Sequence, residues 1–337
     1  MITQHRFVPY LLLILLCLQT FSRLQAEEKK EYYVYQYVIE SAQGTFEEIS
    51  QAIENSALQN GWQILAKVDG GVPDDCPFAT RVFVLYDSSY AKLIMDANAY
   101  TGPFAVVDRV NLFQDENGIH VSVVNPHSIN RTILMDDEKY ETMSEAHLQA
   151  LRGMITAVVQ GTISEKGYGP KRKKGYIGRT MGVMAGGSFD GKIQDVVVTD
   201  QPFPEVLAKV KDGLSQPGEK WGMHLVYELP LNAYGVVLLG TTGTPMDSKS
   251  FDIVKAGGDK SRKNLQCPGL AHASAYPIEV VLRKTEKGVA VQMVDVMYRM
   301  KMYFEDAGKW AFMKNMGMPR AIHDEVKNQI LNGLGMN

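Results

Sequence analysis

The chain has 337 residues, of which 45% are hydrophobic and 22% charged, with a formal net charge of −3. That composition excludes a disordered, fibrous or cysteine-stapled chain, and the length accommodates two domains of ordinary size. A mildly acidic chain also lacks any general attraction for nucleic acid or anionic lipid.

Residues 1–26 read as a leader, not as part of the fold. His5 and Arg6 make a short basic start. Val8–Leu18 is an apolar run too short to cross a bilayer as a helix, and Leu24 and Ala26 stand at the cleavage positions. Cys17 lies inside the apolar run, with Leu16 where a lipoprotein signal requires a small residue. Cleavage near Ala26 removes Arg6 and Arg23 and no acid, which takes the formal charge from −3 to −5. The expectation is a soluble periplasmic or secreted protein with no integral membrane segment; the alternative is an uncleaved anchor. Cys76 and Cys267 then remain. In an oxidising compartment two cysteines can pair, but these fall at non-equivalent places in the two halves, and the sequence does not bring them together. Neither has the neighbour a CxxC site needs.

The mature chain opens on Glu31–Ser41, a Tyr/Val-rich strand. Thr45 and Glu48 have capping-box spacing, and Phe46, Ile49, Ile53 and Leu58 carry a helix to Asn60, stopped by Gly61. Strands follow at Gln63–Val68 and Thr80–Asp87, with a loop at Asp69–Pro77 between them and a short helix at Ala91–Ala97 after them. Phe104–Pro126 is a β-hairpin turning at Gln114–Gly118, with Val110, Leu112, Ile119, Val121 and Val123 on a buried face. His120 and Ser122 then fall on the opposite, polar face. Met143–Ile163 has the spacing of a helix lying across a sheet. The order is β-α-β-β-(α)-β-β-α, a first domain over 31–163.

Residues 164–191 break the rhythm. They are rich in Gly and hold Lys171, Arg172, Lys173 and Lys174 in a row, which reads as a solvated linker or, alternatively, as a docking patch for an acidic partner. Gly178–Gly187 lacks the lysine and hydroxyl of a P-loop. The rhythm then restarts over 192–334. Ile193–Val198 is a strand, and Phe203 and Glu205 echo Phe46 and Glu48 in a helix reaching about Leu214. Trp221 echoes Trp62, Gly235–Gly240 echoes Val82–Asp87, and Tyr276–Val296 repeats the hairpin with Gly288 answering Gly118. An extra loop spans about Thr241–Ser274. The closing helical region holds Lys309–Gly317 and Arg320–Leu331. A repeat of this length means paired domains, not a solenoid.

The helix TFEEISQAIENSALQNGW, the strand TRVFVLYD, the short helix and the hairpin ending in Asn125-Pro126 resemble the bacterial domain-of-unknown-function family 302. The resemblance covers about Tyr33–Leu134 well and Ile193–Tyr303 weakly. It implies an α+β fold of two tandem domains like the halves of the TATA-box-binding protein, each an antiparallel sheet with helices on one face. Val296 departs from it by standing where Pro126 stands in the first half. The resemblance implies no catalytic residues. A nucleic-acid function is excluded by the acidic chain and by strands lacking the basic and intercalating residues of a minor-groove saddle.

No catalytic motif stands out. His120, His127, His147, His224, His272 and His323 are scattered and form no close ligand pair. An enzyme would need His120 or His127 in a pocket beside a carboxylate. The leading expectation is a non-enzymatic binding or interaction module. Its cleft or seam between the paired sheets would take a small apolar ligand or a protein partner, with His120, Ser122, Asn125 and His127 as candidate binding residues; a homo-oligomer is compatible with it. Met293, Met297, Met300, Met302, Met313, Met316 and Met318 crowd the C-terminal region. Met313, Met316 and Met318 have spacing at which thioethers gather around Cu(I), with His323 as a further ligand, so copper handling is the alternative. Packing, or an adaptable apolar surface, is the ordinary role of such methionines. Asn130-Arg131-Thr132 is a glycosylation sequon in a eukaryotic source.

Overall fold

Tyr and Val residues alternate along Tyr32–Ala42, and this strand, β1, becomes the spine of the first sheet. The computed structural model describes residues 31–135, 139–172, 177–180, 185–257, 262, 264–305 and 308–336. The leader assignment, and Lys173 and Lys174 of the basic run, lie outside these residues. After β1 come α1 (Phe46–Gln59), β2 (Gln63–Asp69), β3 (Thr80–Tyr86), α2 (Ser88–Ala97), a 3-10 turn (Gly102–Phe104), β4 (Asp108–Asp115), β5 (Gly118–Val124), α3 (Pro126–Ile133) and α4 (Glu141–Thr156). The capping box is present: the Thr45 hydroxyl accepts from the Glu48 N–H and the Glu48 carboxylate accepts from the Thr45 N–H.

The next segment holds β6 (Thr162–Ile163), β7 (Gly167–Arg172), β8 (Ile177–Thr180) and β9 (Ala185–Gly187). The second half then runs β10 (Ile193–Thr199), α5 (Phe203–Ser215), β11 (His224–Leu231), β12 (Val236–Thr242), α6 (Thr244–Gly257), a 3-10 stretch (Pro268–Ala275), β13 (Ile278–Thr285), β14 (Gly288–Val294), α7 (Val296–Phe304), α8 (Lys309–Lys314) and α9 (Gly317–Leu334). The strands are ordered β2-β3-β4-β5-β1 in the first sheet and β11-β12-β13-β14-β10 in the second, and every pairing is antiparallel. The hairpins close at equivalent pairs, Asp115 with Gly118 and Thr285 with Gly288. The fold is α+β, and its halves repeat one element order.

Four sequence expectations need correction. The helix placed at Met143–Ile163 starts at Glu141 and stops at Thr156; residues 162 and 163 pair with β1. Asn125-Pro126 reads as a turn in the sequence but opens helix α3: the Asn125 side chain caps the helix by accepting from the His127 N–H, and Pro126 takes its first position. Where Val296 replaces that proline, Asp295 supplies the cap by accepting from the Tyr298 N–H. The supposed loop at 241–274 contains α6, whose buried stripe of Met246, Asp247, Ser250, Phe251 and Val254 is disguised by its polar members.

The fourth correction concerns 164–191. Part of this stretch is strand β7, which runs antiparallel along β1 with Tyr35 opposite Tyr168. Its glycines serve close packing: a Cβ on Gly167 would sit 2.3 Å from the Tyr33 ring, and one on Gly169 2.5 Å from the Tyr35 ring. Arg172 is buried, not solvated. Its guanidinium donates to the carbonyls of Lys301 and Met302 at the end of α7 and pairs with Glu305 at 2.9 Å, a cation where the helix dipole favours one.

One face of the first sheet, with Phe83, Leu85, Val110, Leu112, Val121 and Val123, packs on Ile49 and Ile53 of α1 and Leu148 and Leu151 of α4. The expected open face is closed. Tyr35, Tyr37, Val82, Val84 and Phe113 share a continuous core with Tyr227, Leu229, Val237, Leu239 and Ile278 of the second half. The stretch Pro268–Ala275 lies against this face: Asn111 and Thr80 donate to the Leu270 carbonyl, and Tyr168 to that of Ala271. Helices α5 and α9 pack together over the second sheet, burying Val206, Val210, Leu214, Val326 and Ile330. Among the described residues no helix is long and apolar enough to cross a membrane.

Candidate ligand site

Closure of the seam decides the fate of the first candidate residues. His120 is buried; its Nδ1 accepts from the Ser41 N–H, so Nε2 carries the proton donated to Asp115 Oδ1 at 3.0 Å. Burial pushes the Asp115 carboxyl up, but the His120 and Asn117 hydrogen bonds outweigh it and hold the acid below its ordinary value. Ser122 is buried too. Its hydroxyl donates to Tyr168 Oη at 2.7 Å, and Tyr168 passes its own proton to the Ala271 carbonyl. His120 and Ser122 are thus both closed to solvent, and Ser122 is linked to the second half through Tyr168.

Asn125 is the α3 cap. His127 is stacked on Tyr32 with ring centroids 4.2 Å apart, and its Nε2 lies 2.7 Å from Glu145 Oε2. Burial holds its pKa below the ordinary value, with Glu145 pulling the other way. The cavity beside it, about 10 Å³, suits one water. The hydroxyl of Ser144 in that cavity is committed to the Tyr140 carbonyl. Asn130 of the sequon is 1% exposed and donates to Tyr90 and Ser144, so folding closes it to glycan addition.

The seam holds a polar cluster that the sequence did not announce. Arg109 on β4, Glu279 on β13 and Arg299 on α7 are 2%, 5% and 6% exposed. Arg109 Nη2 lies 3.2 Å from Glu279 Oε1, and Arg299 Nε 3.1 Å from Glu279 Oε2. Arg109 also donates to Tyr303 Oη and the Ala275 carbonyl, and Arg299 to the carbonyls of Ala275 and Pro277. Cys76, in the loop before β3, is joined to Cys267 by a disulfide with the Cα atoms 6.0 Å apart. The pair expected as an open question therefore ties the halves.

Asp247, at the start of α6, completes the seam. It is buried, accepting from the Gly71 N–H and the Thr242 hydroxyl, each at 3.2 Å. Burial raises its pKa to about 7, against the smaller pull of those two bonds. In the unfolded chain the same acid ionises near pH 4. Between those values the folded state holds a proton that the unfolded state has lost, so this group's contribution is complete below about pH 4 and lost as pH rises to about 7. An Asn here keeps both contacts, since its oxygen can accept from Gly71 and its amide can donate to Thr242. Asp247→Asn is expected to flatten the stability profile between pH 5 and 8 and to gain about 2–4 kcal/mol over the parent at pH 8. Denaturant unfolding across that range checks it; parallel profiles for the two proteins would refute it.

A cavity of about 90 Å³ lies beside the seam, in the second half. Ile253 and Val254 of α6, Met300 and Phe304 of α7, and Met318 and Ile322 of α9 make its apolar wall; Ser250, Tyr276, Arg299 and Asn315 are the polar members. Chain order explains the placement. Helix α7 follows the hairpin directly, α6 follows β12, and Asn315 between α8 and α9 joins Met318 and Pro319 at the start of α9 in the lining. The expected seam cleft is correspondingly small: the cavity there, beside Val82, Thr242 and Asp247, measures about 10 Å³.

Of the proposed soft-metal ligands, Met318 lines the larger cavity, whereas Met313 and Met316 are exposed at 42% and 39%. His323 is half-buried; burial lowers its pKa, and its Nε2 has no hydrogen-bond partner. Trp310 of α8 is 75% exposed. Among the described residues no three His, Cys, Asp or Glu side chains gather as a metal site.

No protein-family model matches the chain, and no curated protein matches it. Among solved structures, an uncharacterised conserved protein of the DUF302 group from Bacillus stearothermophilus is similar to it. The two are 14% identical over 36% of this chain and 97% of that one, with a TM-score of 0.32.

Proposed function

We propose that the protein is a non-enzymatic binding module, exported by its leader, which holds a small apolar ligand in the cavity between α6, α7 and α9. The observation that carries this is the apolar wall of Ile253, Val254, Met300, Phe304, Met318 and Ile322 around about 90 Å³ of space. Binding sites are commonly concave, apolar and furnished with a few polar groups. The cavity is smaller than the roughly 150 Å³ that accepts benzene in an engineered core, which favours a short chain over a fused ring. The repeated element order supports a tandem duplication of the domain that the first half resembles. In that account the second copy keeps its sheet and gains the cavity through the longer 241–274 segment.

A displacement assay with an environment-sensitive apolar dye tests the proposal. Ile253→Trp, which fills the cavity, is expected to lower dye affinity at least tenfold with the fold retained by circular dichroism. Unchanged affinity would remove the cavity from consideration. Copper handling is the second reading, favoured by the exposure of Met313 and Met316 next to Met318. Loss of Cu(I) binding when Met313, Met316 and Met318 become Leu would support it.

A further inference from the structure

We propose that the ligand is a short aliphatic carboxylic acid, its chain against the apolar wall and its carboxylate on Arg299. The assignment rests on the cavity being a ligand site, and it adds the chemistry of the head group.

Two independent observations carry it. The first is the hydrogen bonding of Arg299, a cavity-lining residue only 6% exposed. Its Nε is taken by Glu279, and its Nη2 by the carbonyls of Ala275 and Pro277. Its Nη1 has no hydrogen-bond partner among the described residues. A buried guanidinium with an unused N–H beside an apolar space offers one strong donor to whatever enters.

The second is charge. Glu279 is shared between Arg109 and Arg299, so the trio carries one excess positive charge at 2–7% exposure of its side chains. The other groups nearby do not cancel it. Tyr303 is a hydrogen-bond acceptor for Arg109, burial pushes the Tyr227 and Tyr276 phenols up and so keeps them neutral, and Asp247 is protonated below about pH 7. Uncompensated charge in a low-dielectric interior is costly, and a carboxylate brought in beside Arg299 would neutralise it. A ligand with a neutral head forgoes that gain, and an amine is repelled.

Calorimetric titration of the native protein at pH 6.5 with hexanoate, hexanol and hexylamine separates the possibilities. The expected result is hexanoate binding at least tenfold tighter than hexanol, with hexylamine weakest. Equal affinity for hexanol and hexanoate, or tighter binding of hexylamine, would overturn the acid assignment while leaving the cavity as a site. Failure of all three to bind would overturn the cavity itself. Arg299→Gln is expected to cut hexanoate affinity at least tenfold and leave hexanol unchanged; equal loss for both would count against a direct pairing. Since Arg299 also braces Glu279, the head-group series on the unmodified protein keeps the proposal falsifiable if that variant does not fold.

Discussion

Glu279→Gln is expected to destabilise the protein by about 3–5 kcal/mol, because it removes the carboxylate shared by two buried guanidinium groups. Arg109 and Arg299 would then face each other with a neutral amide between them. Their remaining partners, the Ala275 and Pro277 carbonyls and the Tyr303 hydroxyl, satisfy N–H groups without offsetting charge. Repulsion between like charges is least screened where water is excluded. The check is guanidinium denaturation of the parent and the variant. Adding Arg109→Met to Glu279→Gln should recover a large part of the loss, since it removes one of the stranded charges. A single variant as stable as the parent, or a double variant worse than the sum of its parts, would mean that the trio is solvated in solution.

Opening the Cys76–Cys267 bond is expected to cost about 3–5 kcal/mol. The bond closes a loop with a sequence separation of 191, and the chain-entropy estimate for loops of that size lies at the upper end of the usual 2–5 kcal/mol range. The bond joins the loop before β3 to the residue that precedes the stretch Pro268–Ala275, and so holds the second half onto the seam face of the first sheet. Denaturation of the oxidised protein, of the reduced and alkylated protein and of Cys76→Ser/Cys267→Ser should give one high and two lower midpoints. Coincident midpoints would show that apolar burial at the seam suffices.

Much of the architecture was legible because it depends on local periodicity. The capping box at Thr45 and Glu48, the alternation of Val110, Leu112, Val121 and Val123, and the hairpin glycines Gly118 and Gly288 each report their own neighbourhood. Pairings across the seam do not. His120 and Ser122 alternate with apolar residues as on a half-exposed strand, and nothing within that strand says that the polar side is covered by a segment 150 residues away. The same limit hid Arg109, Glu279 and Arg299, whose partners lie on three separate elements. The glycines of 164–191 look like flexibility, and only the tyrosine rings of β1 reveal that they make room. Asp247 and Ser250 masked α6 because buried polar residues break an apolar stripe. The cavity was not legible as such, although Met300 and Met318 belong to the methionine cluster that the sequence singled out.

The way β7 lies along β1 while Arg172 reaches the end of α7 bears on how this chain can change over generations. The seam faces of the two halves cannot drift alone: a new residue at Tyr35, Asn111 or Tyr168 must still suit Pro268–Ala275, and the reverse also holds. The two halves therefore co-adapt as an obligate heterodimer would, although one backbone carries both. Swapping either for a relative's counterpart would call for matching changes on the other side.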